Sequence, residues 1–180
     1  MRFFIVFILI SFNLAAQESS KYHYSDFVEA YYDKASEKPI YIYDRVNGNI
    51  IDTISIIKNE NAYYKIAISD SEFGWFKLKN IQRLPEERQD YGHENRWVKS
   101  KNFIIHVDNY DENHQIYLYD LPSKKSNRIH KLEDFQITSV VEISDLWAKV
   151  KFKVGKKAIE GWLDFKDQCA YPWTTCPKYD

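Results

Sequence analysis

Four tyrosines stand in two pairs whose spacing could build aromatic binding surfaces. The pairs lie in the segments Ile40–Tyr43 and Ile116–Tyr119, in which aliphatic and aromatic residues alternate. A period of two is typical of a strand with one buried face, so two tyrosines of a pair share the other face, roughly 7 Å apart. Flat rings so arranged suit an extended ligand; alternatively, they only cover the sheet or pack one part of it on another. The tyrosines are Tyr41, Tyr43, Tyr117 and Tyr119.

Two tryptophans are further candidates for ligand contact. Trp75 begins Trp-Phe-Lys-Leu-Lys and Trp147 begins Trp-Ala-Lys-Val-Lys. Both runs alternate as strands do. Their recurrence at matching places fits a ligand site, but it fits a packed core or rim equally well.

The reactive side chains do not form a catalytic or metal-binding pattern. No two of the five histidines form a His-x-x-x-His pair, and no Gly-rich phosphate loop or Gly-x-Ser-x-Gly elbow is present. The clusters His106–Asp108 and Asp111–His114 are explained by a hydrated linker. We therefore predict no enzyme activity, catalytic residue, metal or cofactor. A cell-wall hydrolase is a minor alternative, and it would need one cysteine as a free thiolate.

The composition limits the protein class. The 180 residues carry a formal charge of −1, which excludes a polycationic nucleic-acid binder, and 44% hydrophobic residues exclude an acidic disordered chain. The aromatic content of 17%, with few glycines, favours half-buried pleated surfaces. These features predict an all-β protein.

The first residues resemble an export signal. A basic start at Met1-Arg2 is followed by an apolar run to Phe12 and by small residues up to Ala16. The run is about half the length of a bilayer span, which favours a cleaved signal over residues 1–16. We expect an exported protein of the periplasm, cell surface or medium, without a membrane span after cleavage.

Export affects how two cysteines close to the C-terminus are interpreted. Cys169 and Cys176 are separated by six residues, and an oxidising compartment favours their pairing. So short a ring would fasten a tail rather than hold two domains together.

The chain contains an internal repeat. Ile40–Asp44 recurs as Ile116–Asp120, and Arg96–Lys99 is echoed by Gly161–Asp164. In addition, Ile66–Asp70 aligns with Val141–Asp145, and Trp75 with Trp147.

The repeat predicts two small units after the signal. The expected boundaries are a lead-in over 17–37, a first unit over 38–107 with an insertion near 80–95, a linker over 108–115, and a second unit over 116–180. Phe27, Ala30 and Tyr31 have helical spacing, so Asp26–Lys34 is a possible short helix. Units of this size suit partly open barrels.

The second unit resembles the bacterial SH3-like domain family. The matching residues are Ile116–Tyr119, the turn Pro122–Ser126, Asp145–Val150 and Glu160–Leu163, followed by a tail similar to that of exported proteins of Bacteroidetes-type bacteria. The first unit resembles the family less closely, with Arg96 in place of the usual glycine. The resemblance implies tandem SH3-like barrels that bind rather than catalyse.

These observations together predict a non-catalytic binding module. The resemblance implies peptidoglycan peptides or envelope proteins as partners, held in aromatic grooves. An alternative is a structural or assembly role through pairing of edge strands. The sequence does not set the oligomeric state.

Overall fold

The computed structural model describes residues 26–59, 61–84, 92–107, 114–133 and 136–169. These residues form β-strands joined by turns and three 3-10 helices, which confirms the all-β class. No helix of this part of the chain is long and apolar enough to cross a membrane. The signal over 1–16, Cys176 and most of the linker over 108–115 lie outside the described residues.

Twelve strands occur in the described ranges. Those of the first half are β1 (Val28–Tyr32), β2 (Ile40–Tyr43), β3 (Ile50–Ile54), β4 (Tyr63–Glu72), β5 (Trp75–Leu84), β6 (Trp97–Lys99) and β7 (Phe103–Val107). Those of the second half are β8 (Ile116–Tyr119), β9 (Arg128–Leu132), β10 (Gln136–Ser144), β11 (Trp147–Val154) and β12 (Lys157–Leu163). The 3-10 helices are Lys34–Ser36, Ser100–Asn102 and Phe165–Asp167.

The strands form one open antiparallel sheet whose two halves repeat the same order. The sheet runs β3-β2-β6-β5-β4-β1-β7-β10-β11-β12-β8-β9. Read inward from each edge, β3-β2-β6-β5-β4 corresponds to β9-β8-β12-β11-β10. Matching pairs mark the repeat, because Tyr43 lies opposite Trp97 and Tyr119 lies opposite Trp162.

The two partly open barrels expected from the sequence are not confirmed, because the strands form one continuous open sheet. The reason is β7, which pairs with β1 on one side and with β10 on the other. β7 is therefore the strand at which the two halves join into one sheet. One core cluster consequently includes residues of both halves, from Val28 to Leu163. The limits proposed for the units, and the SH3-like assignment, remain predictions.

The short helix expected over Asp26–Lys34 is wrong, since β1 occupies this segment. Every residue of β1 is buried. Its even-numbered side chains enter the main core, whereas Tyr31 joins a second cluster with Tyr63, Leu84 and Ile104 on the other face. A strand buried on both faces loses the alternation that identifies strands in a sequence.

One part of the predicted repeat is shifted. Each central hairpin turns over two residues, with Glu72 opposite Trp75 and Ser144 opposite Trp147. Asp145 therefore corresponds to Phe73 rather than to Asp70. Both residues have the positive φ that such a turn requires, 50° and 42°. Residues 80–84 continue β5, so this end of the expected insertion belongs to the sheet.

A glycine on β12 allows the β8–β9 hairpin to pack closely against this strand. A Cβ added to Gly161 would lie 2.7 Å from Ile129 Cδ1 and 3.1 Å from the carbonyl oxygen of Tyr119. We expect Gly161→Ala to lower the free energy of unfolding by about 1–3 kcal/mol through overpacking, as measured by urea denaturation. Gly155→Asn is the control, because that site is open and its φ of 60° suits asparagine; an equal loss in both variants would contradict the argument.

Candidate functional site

The strongest candidate site is a cleft in the first half of the sheet, beside β2, β6 and the 3-10 helix that follows β6. Its volume is about 400 Å³. Three tyrosines and three lysines supply its aromatic and charged groups. They are Tyr32, Tyr41, Tyr43, Lys38, Lys99 and Lys101. We call this the basic cleft.

The aromatic wall of the basic cleft comes from β2. Ile40 and Ile42 are buried while Tyr41 is 42% exposed and Tyr43 is half-buried, which is the alternation that the sequence predicts. The Tyr43 ring packs edge-on against Trp75, with 4.8 Å between centroids and an interplanar angle of 89°. Trp75 is buried and does not line the cleft. It positions Tyr43 rather than offering its own face to a ligand.

The floor of the cleft is fixed by Tyr32 of β1. Its hydroxyl donates to the carbonyl oxygen of Lys38 at 3.0 Å and accepts from Asn102 Nδ2 at 3.0 Å. Its ring meets Phe103 edge-on, 5.3 Å between centroids. These contacts join β1, the segment before β2 and the 3-10 helix, so the cleft is organised before any ligand arrives.

The charge of the cleft is positive. Lys38, Lys99 and Lys101 are exposed, and no carboxylate is among the described residues that line it. The Lys99 ammonium lies 5.8 Å from the Tyr43 ring centroid and 5.4 Å from that of Trp75. Cations grouped against an aromatic wall attract carboxylates and favour their arrival.

The second half carries the same aromatic arrangement. Tyr119 packs edge-on against Trp147, at 5.6 Å and 85°. The ring faces are less accessible, because Tyr119 is buried and the Arg128 guanidinium lies 4.3 Å from the centroid of Tyr117. The Tyr117 hydroxyl donates to Gln115 Oε1 at 2.6 Å. Trp147 is half-buried.

The charge around these rings is more negative in the second half. Counting from the matched residues Trp97 and Trp162, the positions of Lys99 and Asn102 are taken by Asp164 and Asp167. Both carboxylates have partners within the protein. His114 Nε2 lies 2.6 Å from Asp167 Oδ1, and Lys124 Nζ lies 3.1 Å from Asp164 Oδ2. We call this equivalent region the acidic counterpart.

The acidic counterpart contains a carboxyl group that is better accommodated when protonated. Burial raises the pKa of Asp167 above its ordinary value, although the hydrogen bond from His114 opposes the change. The folded protein thus holds this proton more tightly than the unfolded chain does. The resulting stabilisation is complete below the ordinary aspartate range and is lost as the pH rises through the raised pKa.

Asp167→Asn should therefore raise the unfolding temperature at neutral pH. Asparagine removes the buried charge, and Asn102 shows that the equivalent site accepts an amide. We expect the advantage to disappear below about pH 4, where the wild-type carboxyl is itself protonated. Thermal unfolding followed by circular dichroism across this range is the measurement; an advantage that grows towards acid would refute the stated cause.

The structure thus brings the predicted residues together in two groups of three. One group is Tyr41, Tyr43 and Trp75, and the other is Tyr117, Tyr119 and Trp147. Their role in binding remains a prediction. Sequence reasoning missed the lysines. The signal was present in the run Trp97-Val-Lys-Ser-Lys101, but its nearness to the Tyr41 segment follows from the pairing of β6 with β2.

Cys169 lies at the junction of the two halves. It is buried and forms an isolated bridge with His106 of β7. Its expected partner Cys176 is outside the described residues, so their pairing stays a prediction.

Comparisons with known proteins identify distant structural neighbours. No family model matches the chain, and no curated protein matches it. Among solved structures, NlpC1 of Trichomonas vaginalis has a TM-score of 0.33 at 11% identity, with coverage of 83% of this chain and 48% of that one. NlpC2 of the same organism has a TM-score of 0.31 at 12% identity, with coverage of 84% and 50%. The chain spans about half the length of these structures.

Proposed function

We propose that this protein is an exported, non-catalytic binding module whose basic cleft holds an extended peptide bearing carboxylates. The observation that carries the proposal is a cleft of about 400 Å³ in which three tyrosines and three lysines converge. Tyrosine faces contact a peptide backbone and aliphatic side chains, while the ammonium groups pair with carboxylates. Cell-wall peptides are the ligand that the resemblance to the bacterial SH3-like family implies, and the free carboxyl end of a peptide suits these ammonium groups.

The two halves then have different roles. Within the described residues, the lysines of the basic cleft have no carboxylate partner, whereas the carboxylates of the acidic counterpart contact His114 and Lys124. Arg128 also covers the face of Tyr117. We therefore expect one peptide site per chain, in the first half, with the second half supporting the sheet and its core.

The decisive experiment is co-sedimentation of the chain lacking residues 1–16 with insoluble cell-wall sacculi. We expect the wild type to pellet and Lys99→Ala/Lys101→Ala to lose at least about tenfold in affinity, since a charge-assisted contact contributes roughly 1.5–3 kcal/mol. Lys166→Ala is the matched control, because Lys166 occupies the position of Lys101 in the second half. Wild type left in the supernatant, or equal losses in both variants, would count against the proposal.

A second candidate function is assembly through an edge strand. β3 ends the sheet, and its Ile50 and Ile51 are 52% and 48% exposed. Strands of this kind can pair with an added strand. Ile51→Lys would abolish capture of an envelope partner under this alternative, and it would leave sedimentation with sacculi unchanged under the leading one.

A further inference from the structure

The tip of the central hairpin of the first half presents an unusual side chain. Phe73 is 95% exposed. It sits in the two-residue turn between β4 and β5, with φ of 42°, and Gly74 follows with φ of 85°. Left-handed φ is uncommon for a bulky residue, and asparagine is the usual choice there. A phenyl ring held in solvent at an unfavourable φ has no stabilising role in the monomer.

Hydrogen bonds attach the tip to neighbouring elements, and the tip is acidic. The Gly74 carbonyl oxygen accepts from the amide of Ser100 at 2.9 Å. Ser71 Oγ accepts from the amide of Ile143 at 2.9 Å, which ties the hairpin to β10. Asp70 and Glu72 are exposed and stand two residues apart at the end of β4, directly before the turn that carries Phe73. The strand that leads to the ring therefore carries two carboxylates.

The same chain carries a surface complementary to this tip. The basic cleft combines the exposed ring of Tyr41 and the half-buried ring of Tyr43 with Lys38, Lys99 and Lys101. It can accept a phenyl ring against Tyr41 and Tyr43 and carboxylates against the ammonium groups. The hydrogen bond between Gly74 and Ser100 places the tip at the border of the cleft, next to Lys99 and Lys101. The direction of the hairpin tip keeps Phe73 exposed, so the ring does not fill the cleft of its own molecule.

We propose that the hairpin tip Asp70–Gly74 of one copy docks in the basic cleft of a second copy. Because tip and cleft are neighbours on each molecule, a two-fold axis allows both contacts to form at once. Phe73 is the anchor, and Asp70 and Glu72 pair with the cleft lysines. The dimer and a wall peptide then compete for the cleft, so a bound peptide releases the partner copy. The self-association uses this cleft but does not depend on the identity of its other ligand.

A charge exchange tests the proposal. Variant A is Asp70→Lys/Glu72→Lys, and variant B is Lys99→Glu/Lys101→Glu. Sedimentation velocity should show a wild type that associates with increasing concentration, while A alone and B alone stay monomeric. An equimolar mixture of A and B should form a heterodimer, because each tip then meets a cleft of opposite charge. A monomeric wild type, or a mixture in which A and B remain separate, would overturn the proposal.

A single substitution isolates the anchor without endangering the fold. Phe73→Asn suits the left-handed φ, so the unfolding temperature should be unchanged or higher, while the dimer affinity falls at least about tenfold. Leu121→Asn is the control, because Leu121 is also exposed, at 61%, and lies in the second half. Wild-type association in Phe73→Asn would refute the anchor. Phe73→Asn should still pellet with sacculi, so loss of the dimer and loss of wall binding are separate results.

Discussion

Lys65→Met is expected to lower the free energy of unfolding by about 3–5 kcal/mol, the largest effect of any single substitution proposed for this protein. Lys65 is 1% exposed and lies on β4 in the middle of the sheet. Its Nζ is 2.7 Å from Glu29 Oε1 on β1. Methionine keeps the volume of the side chain but leaves the Glu29 carboxylate in a buried place without this cation.

The double variant Lys65→Met/Glu29→Gln distinguishes the charge from the packing. Removing both charges should recover most of the loss, since a buried pair replaced by neutral residues is often close to neutral in stability. Lys79→Met is the surface control. The Lys79–Glu94 pair has a similar distance, 2.6 Å, but Lys79 is 36% and Glu94 57% exposed, so we expect a loss below about 1 kcal/mol. Guanidinium denaturation measures all three; a double variant as unstable as Lys65→Met would attribute the effect to packing.

The ion pair also explains why the first strand was misassigned from the sequence. Within Asp26–Lys34 the charged Glu29 suggests a solvent-facing position, and Phe27, Ala30 and Tyr31 fit a helical stripe. The burial of Glu29 depends on Lys65, which is distant in the chain and adjacent only through the pairing of β1 with β4. A local pattern cannot contain this information. By contrast, Ile40–Tyr43 and Ile116–Tyr119 form strands with buried aliphatic residues, as predicted, because their alternation encodes one buried face.

The doubled order of strands was predictable in outline but not in register. Matching tryptophans identify the hairpins, whereas the short similarity between Ile66–Asp70 and Val141–Asp145 gives the wrong correspondence. Both hairpins contain irregular pairings, after Ala67 and Ile68 in β4 and after Val140 in β10. Each bulge adds an unpaired residue and breaks the simple correspondence between sequence and position. The shared strand β7 was equally hidden, since its second partner is set by packing of the two halves.

The replacement of Lys99 by Asp164 in the second half leads to the second large effect, a gain of binding. If the basic cleft owes its ligand preference to Lys99, then supplying equivalent groups in the second half should create a second site. Asp164→Lys/Asp167→Asn reproduces the residues of the first half at both positions. The aromatic support is already present in Tyr119 and Trp147, and Lys166 matches Lys101.

We expect this double variant to bind sacculi at least about tenfold more tightly than the wild type, because two linked sites on one chain convert the second contact into an intramolecular one. Loss of the Asp164 side chain, which accepts from the amide of Lys166 at 2.9 Å, should reduce stability by about 1 kcal/mol. Unfolding measurements must therefore accompany the binding assay.

Asp164→Asn/Asp167→Asn is the matched control, since it removes both negative charges without adding a cation. We expect this control to bind no more tightly than the wild type. A gain of equal size in both variants would mean that relief of repulsion, rather than a cation at the position of Lys99, governs binding. An absence of gain in the folded lysine variant would show that the open face of Tyr41 is required as well, since Arg128 still covers Tyr117.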